Sequence, residues 1–67
     1  MARLNGVNVD ATDRNLKEYL LEQGFLLEKI AVEKNGDIIP KSKMEHDRIQ
    51  ENDQIEVVTF VVVSTEL

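Results

Sequence analysis

Two short stretches of alternating apolar and polar residues surround an Asn-Gly pair at the start of the chain. Their apolar members are Ala2, Leu4, Val7 and Val9. An Asn-Gly pair accepts the positive φ angles that a type I′ turn requires, so it is a strong signal for a hairpin. The pattern therefore predicts strands over residues 2–5 and 7–10, joined by a turn at Asn5-Gly6.

The next segment has the period of an amphipathic helix. Its apolar stripe, spaced i, i+3 and i+4, consists of Leu16, Tyr19 and Leu20. Thr12 is the predicted N-cap of this helix, with Asp13 in the first turn. Gly24 is expected to end the helix in the left-handed conformation, with Phe25 folding back toward Leu20.

A second Asn-Gly pair, Asn35-Gly36, predicts a turn between a strand over 29–34 and a short strand that follows. Pro40 ends that second strand and cannot donate a ladder hydrogen bond, which favours a position at the sheet edge. Residues 41–53 are polar, and we expect an irregular loop with Met44 and Ile49 as core anchors.

The last strand begins near Gln54, after a predicted turn at 52–53, and becomes continuously apolar up to Val63. Such a run fits a central strand covered on both faces, or a segment that awaits a partner. Ile55 and Val57 are expected to face the helix. Since strand side chains alternate, Phe60 would lie on the opposite face, beside Val58 and Val62.

The element order is β-β-α-β-β, then a loop and a final strand. One amphipathic helix can cover one face of a sheet, which predicts a two-layer α+β domain. The 67 residues are enough for a single domain over 1–67 with one thin core. A carrier or binding module is therefore expected rather than an enzyme, because a walled catalytic pocket needs a larger core.

Composition narrows the function further. The net charge of −5 argues against nucleic acid as a partner, since binding phosphates requires clustered Lys and Arg. The chain has no cysteine, and its one histidine, His46, lies between Glu45 and Asp47 in what reads as a solvated loop. We expect no metal site and no cofactor. No apolar run reaches the roughly 18 residues of a membrane span.

Two stretches carry a family resemblance. Residues 30–42, IAVEKNGDIIPKS, are similar to the VAVEVNGEIVPRS segment of the ThiS family, the sulfur carriers of thiamine (thiazole) biosynthesis. Residues 52–61, NDQIEVVTFV, resemble the GDRIEIVTFV strand of the same family. The likeness covers roughly residues 3–61. It implies the β-grasp, ubiquitin-like fold that ThiS shares with MoaD-like proteins, with a mixed sheet and one helix packed on one face.

The resemblance also implies a cytoplasmic carrier that is itself not a catalyst. In the family, a ThiF-like enzyme uses ATP to adenylate a C-terminal glycine carboxylate, sulfur replaces AMP, and thiazole synthase receives the sulfur. The expected partner-binding residues are Val58, Phe60 and Val61. The positions of the family's C-terminal diglycine are occupied by Val62 and Val63, within an atypical tail over 62–67.

This departure leaves a second function open. Glycine has no Cβ and lets a tail approach a reactive phosphate closely, whereas valine is stiff and favours a strand. The chain could instead be a non-conjugating, ubiquitin-like interaction module. In that case its unpaired C-terminal strand could add to the sheet of a second copy and form a homodimer.

Overall fold

The structure is a computed structural model, and it describes residues 1–61. Its strands in chain order are β1 (Ala2–Leu4), β2 (Val7–Val9), β3 (Ile30–Lys34), β4 (Asp37–Ile38) and β5 (Gln54–Thr59). Helix α1 (Leu16–Glu22) follows β2, a 3-10 turn (Leu27–Lys29) precedes β3, and a one-turn helix α2 (Lys41–Met44) follows β4. The predicted α+β class and element order are confirmed.

The last strand is the centre of a mixed five-stranded sheet with the order β2-β1-β5-β3-β4. On one side β5 pairs in parallel with β1, with Leu4 opposite Ile55. On the other side it pairs antiparallel with β3, with Val32 opposite Val57. The central position of this strand was one of the two interpretations of its apolar run. The edge position of β4, next to Pro40, is confirmed as well.

Both Asn-Gly pairs form the predicted hairpin turns. Asn5 and Gly6 have φ angles of 49° and 81°, and Asn35 and Gly36 have 53° and 89°. Two consecutive positive φ angles are the requirement of a type I′ turn, which matches the natural twist of paired strands. The hairpins β1–β2 and β3–β4 are therefore specified locally.

One face of the sheet packs against α1 to form the core. The helix contributes its predicted stripe, Leu16, Tyr19 and Leu20, all buried. The same cluster of buried residues includes Ala2, Ala11, Ile30, Val32, Met44, Ile49, Ile55 and Val57. The inward orientation predicted for Ile55 and Val57 is confirmed, and so is the anchoring role of Met44 and Ile49.

Helix α1 begins later than predicted, because its N-cap is Asn15 and not Thr12. The Asn15 side chain accepts a hydrogen bond from the Glu18 N–H at 3.0 Å. Asp13 has a φ of 70°, which a right-handed helix excludes. The Asp13 N–H also donates to Ile49 O at 2.7 Å, so the backbone before Asn15 pairs with the long loop.

The end of α1 follows the prediction. Gly24 adopts a φ of 89°, its N–H donates to Leu21 O, and the Phe25 N–H donates to Leu20 O. This pair of bonds is the Schellman motif, which satisfies carbonyls that the last helical turn leaves free. Phe25 is partly buried and packs against the core, as expected for this cap.

The loop over 41–53 is more ordered than predicted, since it contains α2. Hydrogen bonds from the N–H of Lys43, His46 and Asp47 to carbonyls three residues earlier form this turn of helix. A single helical turn is too short to produce a periodic sequence pattern, which is why the pattern over 41–53 did not reveal it. The predicted turn at 52–53 is present, with Asn52 at a φ of 68°.

Strand β5 ends at Thr59, earlier than the apolar run suggested, and residues 62–67 lie outside the described part of the chain. Val58 is 62% exposed on the face that α1 does not cover. Coverage of this strand on both faces, one of the two sequence interpretations, is therefore wrong for its last residues.

Adjacent leucines in α1 offer a test of the core. Leu20 is fully buried, whereas Leu21 is 49% exposed. We expect Leu20→Ala to lower the free energy of unfolding by about 2–5 kcal/mol, because it leaves a cavity. Leu21→Ala should change it by less than about 0.5 kcal/mol. Urea denaturation of both variants measures the difference, and equal losses would contradict this packing.

Candidate docking surface at the end of the central strand

The chain leaves the sheet at the end of β5 with apolar side chains exposed. The Phe60 N–H donates to Lys29 O at 2.8 Å, so the backbone just beyond β5 still pairs with the residue that precedes β3. Phe60 is 40% exposed and Val61 is 81% exposed. We call Val58, Phe60 and Val61 the docking surface, because all three are apolar and exposed where the chain leaves the sheet.

Along the other edge of β5, the side chain of Asn5 provides the hydrogen bonds that β1 no longer provides beyond its last residue. Leu4 is the last residue of β1, and the next residue, Asn5, has turned away into the hairpin. The Asn5 side-chain Oδ1 accepts the Val57 N–H at 2.7 Å, and its Nδ2 donates to Val57 O at 3.3 Å. One amide thus satisfies both backbone groups of Val57. The residues of β5 beyond Val57 pair with β3 alone.

The three predicted partner-binding residues lie where the chain leaves the sheet. Val58, Phe60 and Val61 lie within four consecutive positions at the exit of the chain from the sheet, and all three are exposed. Their docking role stays a prediction. Val62 and Val63, at the positions of the family diglycine, lie outside the described residues.

A buried carboxylate holds the opposite end of β5. Asp53, only 6% exposed, immediately precedes the strand. Its carboxylate accepts hydrogen bonds from the Gln50 N–H at 2.7 Å and from Asn35 Nδ2 at 2.8 Å. Lys34 Nζ lies 3.3 Å from Asp53 Oδ2 and 2.9 Å from Asp47 Oδ1. This network ties the long loop and the β3–β4 turn to the start of β5.

The network shifts the pKa values of its charged groups. Burial by itself would raise the pKa of Asp53, but the hydrogen bonds from Gln50, Asn35 and Lys34 outweigh it and hold that pKa below its ordinary value. For Lys34, burial by itself would lower the pKa. The carboxylates of Asp47 and Asp53 outweigh burial, so the pKa of Lys34 is raised. Both groups are therefore charged at neutral pH and stabilise the folded state.

Other chemistry has little support in the described part of the chain. His46 is exposed, with Nε2 3.4 Å from Glu45 Oε1. Within residues 1–61, no three His, Cys, Asp or Glu side chains are grouped closely enough to hold a metal ion. Over the same residues, no helix has the length and apolar character needed to cross a membrane.

Comparison with known proteins places the chain in a family. The model of the ThiS family matches residues 2–62, which is nearly the whole chain. The chain belongs to the ThiS family. Membership supports a sulfur-carrier role in thiamine biosynthesis and fits a small carrier protein rather than a catalyst. A search among curated proteins finds no significant sequence match.

A solved structure agrees with the ThiS fold. The crystal structure of a thiamine biosynthesis protein (ThiS) from Geobacter metallireducens superposes with a TM-score of 0.75 at 22% sequence identity. The match covers 94% of this chain and 97% of that one. The mixed sheet with one helix across it is therefore a β-grasp fold, as the sequence resemblance implied.

The Asp53 network predicts a specific acid sensitivity. A carboxylate whose pKa is lowered by folding contributes stability above its unfolded-state pKa of about 3.9, and this is lost as the pH falls toward the folded-state pKa. We expect Asp53→Asn to lower the free energy of unfolding by about 1–3 kcal/mol at pH 7. The variant should also lose less stability than the wild type between about pH 5 and pH 2.

Denaturant curves at a series of pH values measure this effect. Asp10→Asn is the matched control, because Asp10 is exposed and outside the network. We expect the control to follow the wild-type curve. If Asp53→Asn kept the full acid dependence of the wild type, the proposed contribution of Asp53 would be wrong.

Proposed function

We propose that this chain is a sulfur carrier of thiamine biosynthesis that acts as a protein substrate for two enzymes. The match of the ThiS family model over residues 2–62 is the observation that carries the proposal. The fold supports it, because the central strand β5 ends at Thr59 and leaves Phe60 and Val61 exposed just before residues 62–67. The whole chain, 1–67, then acts as one β-grasp domain with residues 62–67 as its tail.

The proposed chemistry takes place on a C-terminal carboxylate. A ThiF-like adenylating enzyme would join the carboxylate oxygen to the α-phosphate of ATP, releasing pyrophosphate. A sulfur nucleophile would then attack the acyl carbon, and AMP would leave, giving a thiocarboxylate. Thiazole synthase would take up this sulfur. The described residues contain no glycine-rich phosphate loop, so the adenylating enzyme must bind the ATP.

The docking surface in this proposal consists of Val58, Phe60 and Val61. Exposed apolar side chains on a small domain are typical of protein-binding sites, and aromatic residues often supply much of the binding energy. The position of these residues just before the tail suits the task, because an enzyme bound there would hold the tail close to its own active site.

A second function is favoured by one specific observation. Val62 and Val63 stand where the family has two glycines, and branched side chains obstruct the close approach that adenylation requires. In this alternative the chain is a non-conjugating ubiquitin-like module that binds partners without carrying sulfur. It could then associate with a second copy through the residues after β5.

Mass spectrometry can distinguish the two functions. The chain is incubated with a ThiF-like enzyme, ATP and a sulfide source, beside a variant that carries Val62→Gly and Val63→Gly and ends at residue 63. We expect the glycine variant to gain the mass that corresponds to replacing one oxygen by sulfur. The same gain in the original chain supports the carrier function.

The possible results distinguish a defect in the domain, residues 1–61, from a defect in the tail, residues 62–67. A gain in the glycine variant alone would favour the non-conjugating module, since the body is then competent and the valines prevent the reaction. No gain in either protein, with a ThiF-like enzyme that is active on a diglycine carrier from the same family, would contradict the carrier proposal.

The docking surface is tested by a single truncation. We expect Phe60→Ala to weaken binding to the ThiF-like enzyme at least about tenfold, because aromatic anchors dominate such interfaces. Val7→Ala is the control, since Val7 is an exposed apolar residue of the edge strand β2, outside the docking surface. Isothermal titration calorimetry gives both Kd values. Equal Kd values would contradict the placement of the surface.

A further inference from the structure

Two glutamates face each other on the side of the sheet that α1 leaves uncovered. The β3–β5 register places Glu33 directly opposite Glu56. Residues paired across antiparallel strands project to the same face, with Cβ atoms about 5 Å apart. Both glutamates belong to exposed positions, on the face opposite the buried Val32 and Val57.

This pair is unfavourable for the isolated chain. Like charges directly opposite each other destabilise a sheet. Among the ion pairs within residues 1–61, neither Glu33 nor Glu56 takes part. Neither carboxylate therefore has a cation of the described residues within ion-pair distance to offset the repulsion between them.

Apolar side chains flank the two glutamates. Ile38, which is 77% exposed, lies opposite Glu33 on the outer side, at the edge strand β4. Val58 lies two residues after Glu56 on the same face, opposite Ala31. We define the glutamate face as Glu33, Glu56, Ala31, Ile38 and Val58. It presents two negative charges between apolar neighbours and continues into the docking surface through Val58.

We propose that the glutamate face binds a protein surface that inserts an arginine or lysine side chain between Glu33 and Glu56, with apolar residues on either side of it. One cation between the carboxylates relieves their repulsion and donates a charge-assisted hydrogen bond to each. This inference rests on the proposed function and adds to it the chemistry of the partner. The net charge of −5 attracts such a basic surface from a distance.

A second copy of the chain does not suit the glutamate face as a binding partner. A two-fold interface brings the same patch of both copies together. Two glutamate faces stacked in this way would place four carboxylates in one interface. The charge on the face therefore favours a basic partner over self-association.

Binding to a ThiF-like enzyme tests the inference. The variants are Glu33→Gln, Glu56→Gln and the double variant, with the double variant compared against Glu28→Gln. Glu28 is exposed in the 3-10 turn, so its variant removes a negative charge at a site outside the face. We expect the double variant to bind at least about tenfold more weakly, and its association rate to depend less on salt. Glu28→Gln should change the Kd less than twofold.

The isolated chain provides a second measurement. Because the pair destabilises the free protein, the melting temperature of the double variant should rise by several degrees, while that of Glu28→Gln stays close to the wild type. A role of the glutamates in stability would give the opposite shift. An unchanged or lower melting temperature in the double variant therefore overturns the inference, whether or not an enzyme binds.

The remaining outcomes are distinct. If Phe60→Ala weakens binding and the double glutamate variant does not, the docking surface stands and the inference is wrong. If the enzyme does not bind the wild type, both fail. If sedimentation shows a dimer of the wild type that the double variant loses, the occupant is a second copy, which overturns the assignment to a basic partner.

Discussion

Pairing of β5 along both of its edges is the interaction on which the whole fold depends. The strand joins two hairpins that have no other contact through the sheet, β1–β2 in parallel on one side and β3–β4 antiparallel on the other. Ile55 and Val57 of the same strand belong to the core cluster that contains the buried residues of α1. Without β5, each hairpin would be a two-stranded ribbon, and such ribbons are marginally stable in water.

The two ends of this strand are held in different ways. At its start, the buried carboxylate of Asp53 fixes the loop and the β3–β4 turn through Gln50, Asn35 and Lys34. At its end, the amide of Asn5 satisfies Val57, and the chain beyond it keeps only one strand neighbour. The buried side-chain network is thus at the end distant from the docking surface, while the other end presents exposed apolar side chains.

Features that depend on a few adjacent residues could be predicted from the sequence. The Asn-Gly turns, the cap at Gly24 and the apolar stripe of α1 all follow from local rules, and the similarity of residues 30–42 and 52–61 to ThiS led to the β-grasp fold. The start of α1 could not be predicted, because the backbone before Asn15 is hydrogen-bonded to Ile49, far along the chain. The one-turn helix α2 leaves no periodic pattern.

In the candidate site, too, the features that depend on adjacent residues could be predicted, and those that depend on distant residues could not. Exposure of Phe60 and Val58 followed from alternation along one strand, which a sequence displays directly. The juxtaposition of Glu33 and Glu56 did not, because it depends on the register between two strands separated by a loop and a turn. Asp53 gave no sequence signal that would distinguish its buried carboxylate from the many acidic residues on the surface.

The parallel pairing of β1 with β5 has a consequence for biosynthesis. Leu4 leaves the ribosome long before its partner Ile55, so the first hairpin must wait, with its inner edge open, until almost the entire domain has been translated. Contacts between residues so distant in sequence also make folding slower than in helical proteins of similar size. A nascent or misfolded chain cannot assemble Glu33, Glu56 and Val58 on one surface. An enzyme that recognises this surface would therefore select finished molecules and ignore incomplete ones.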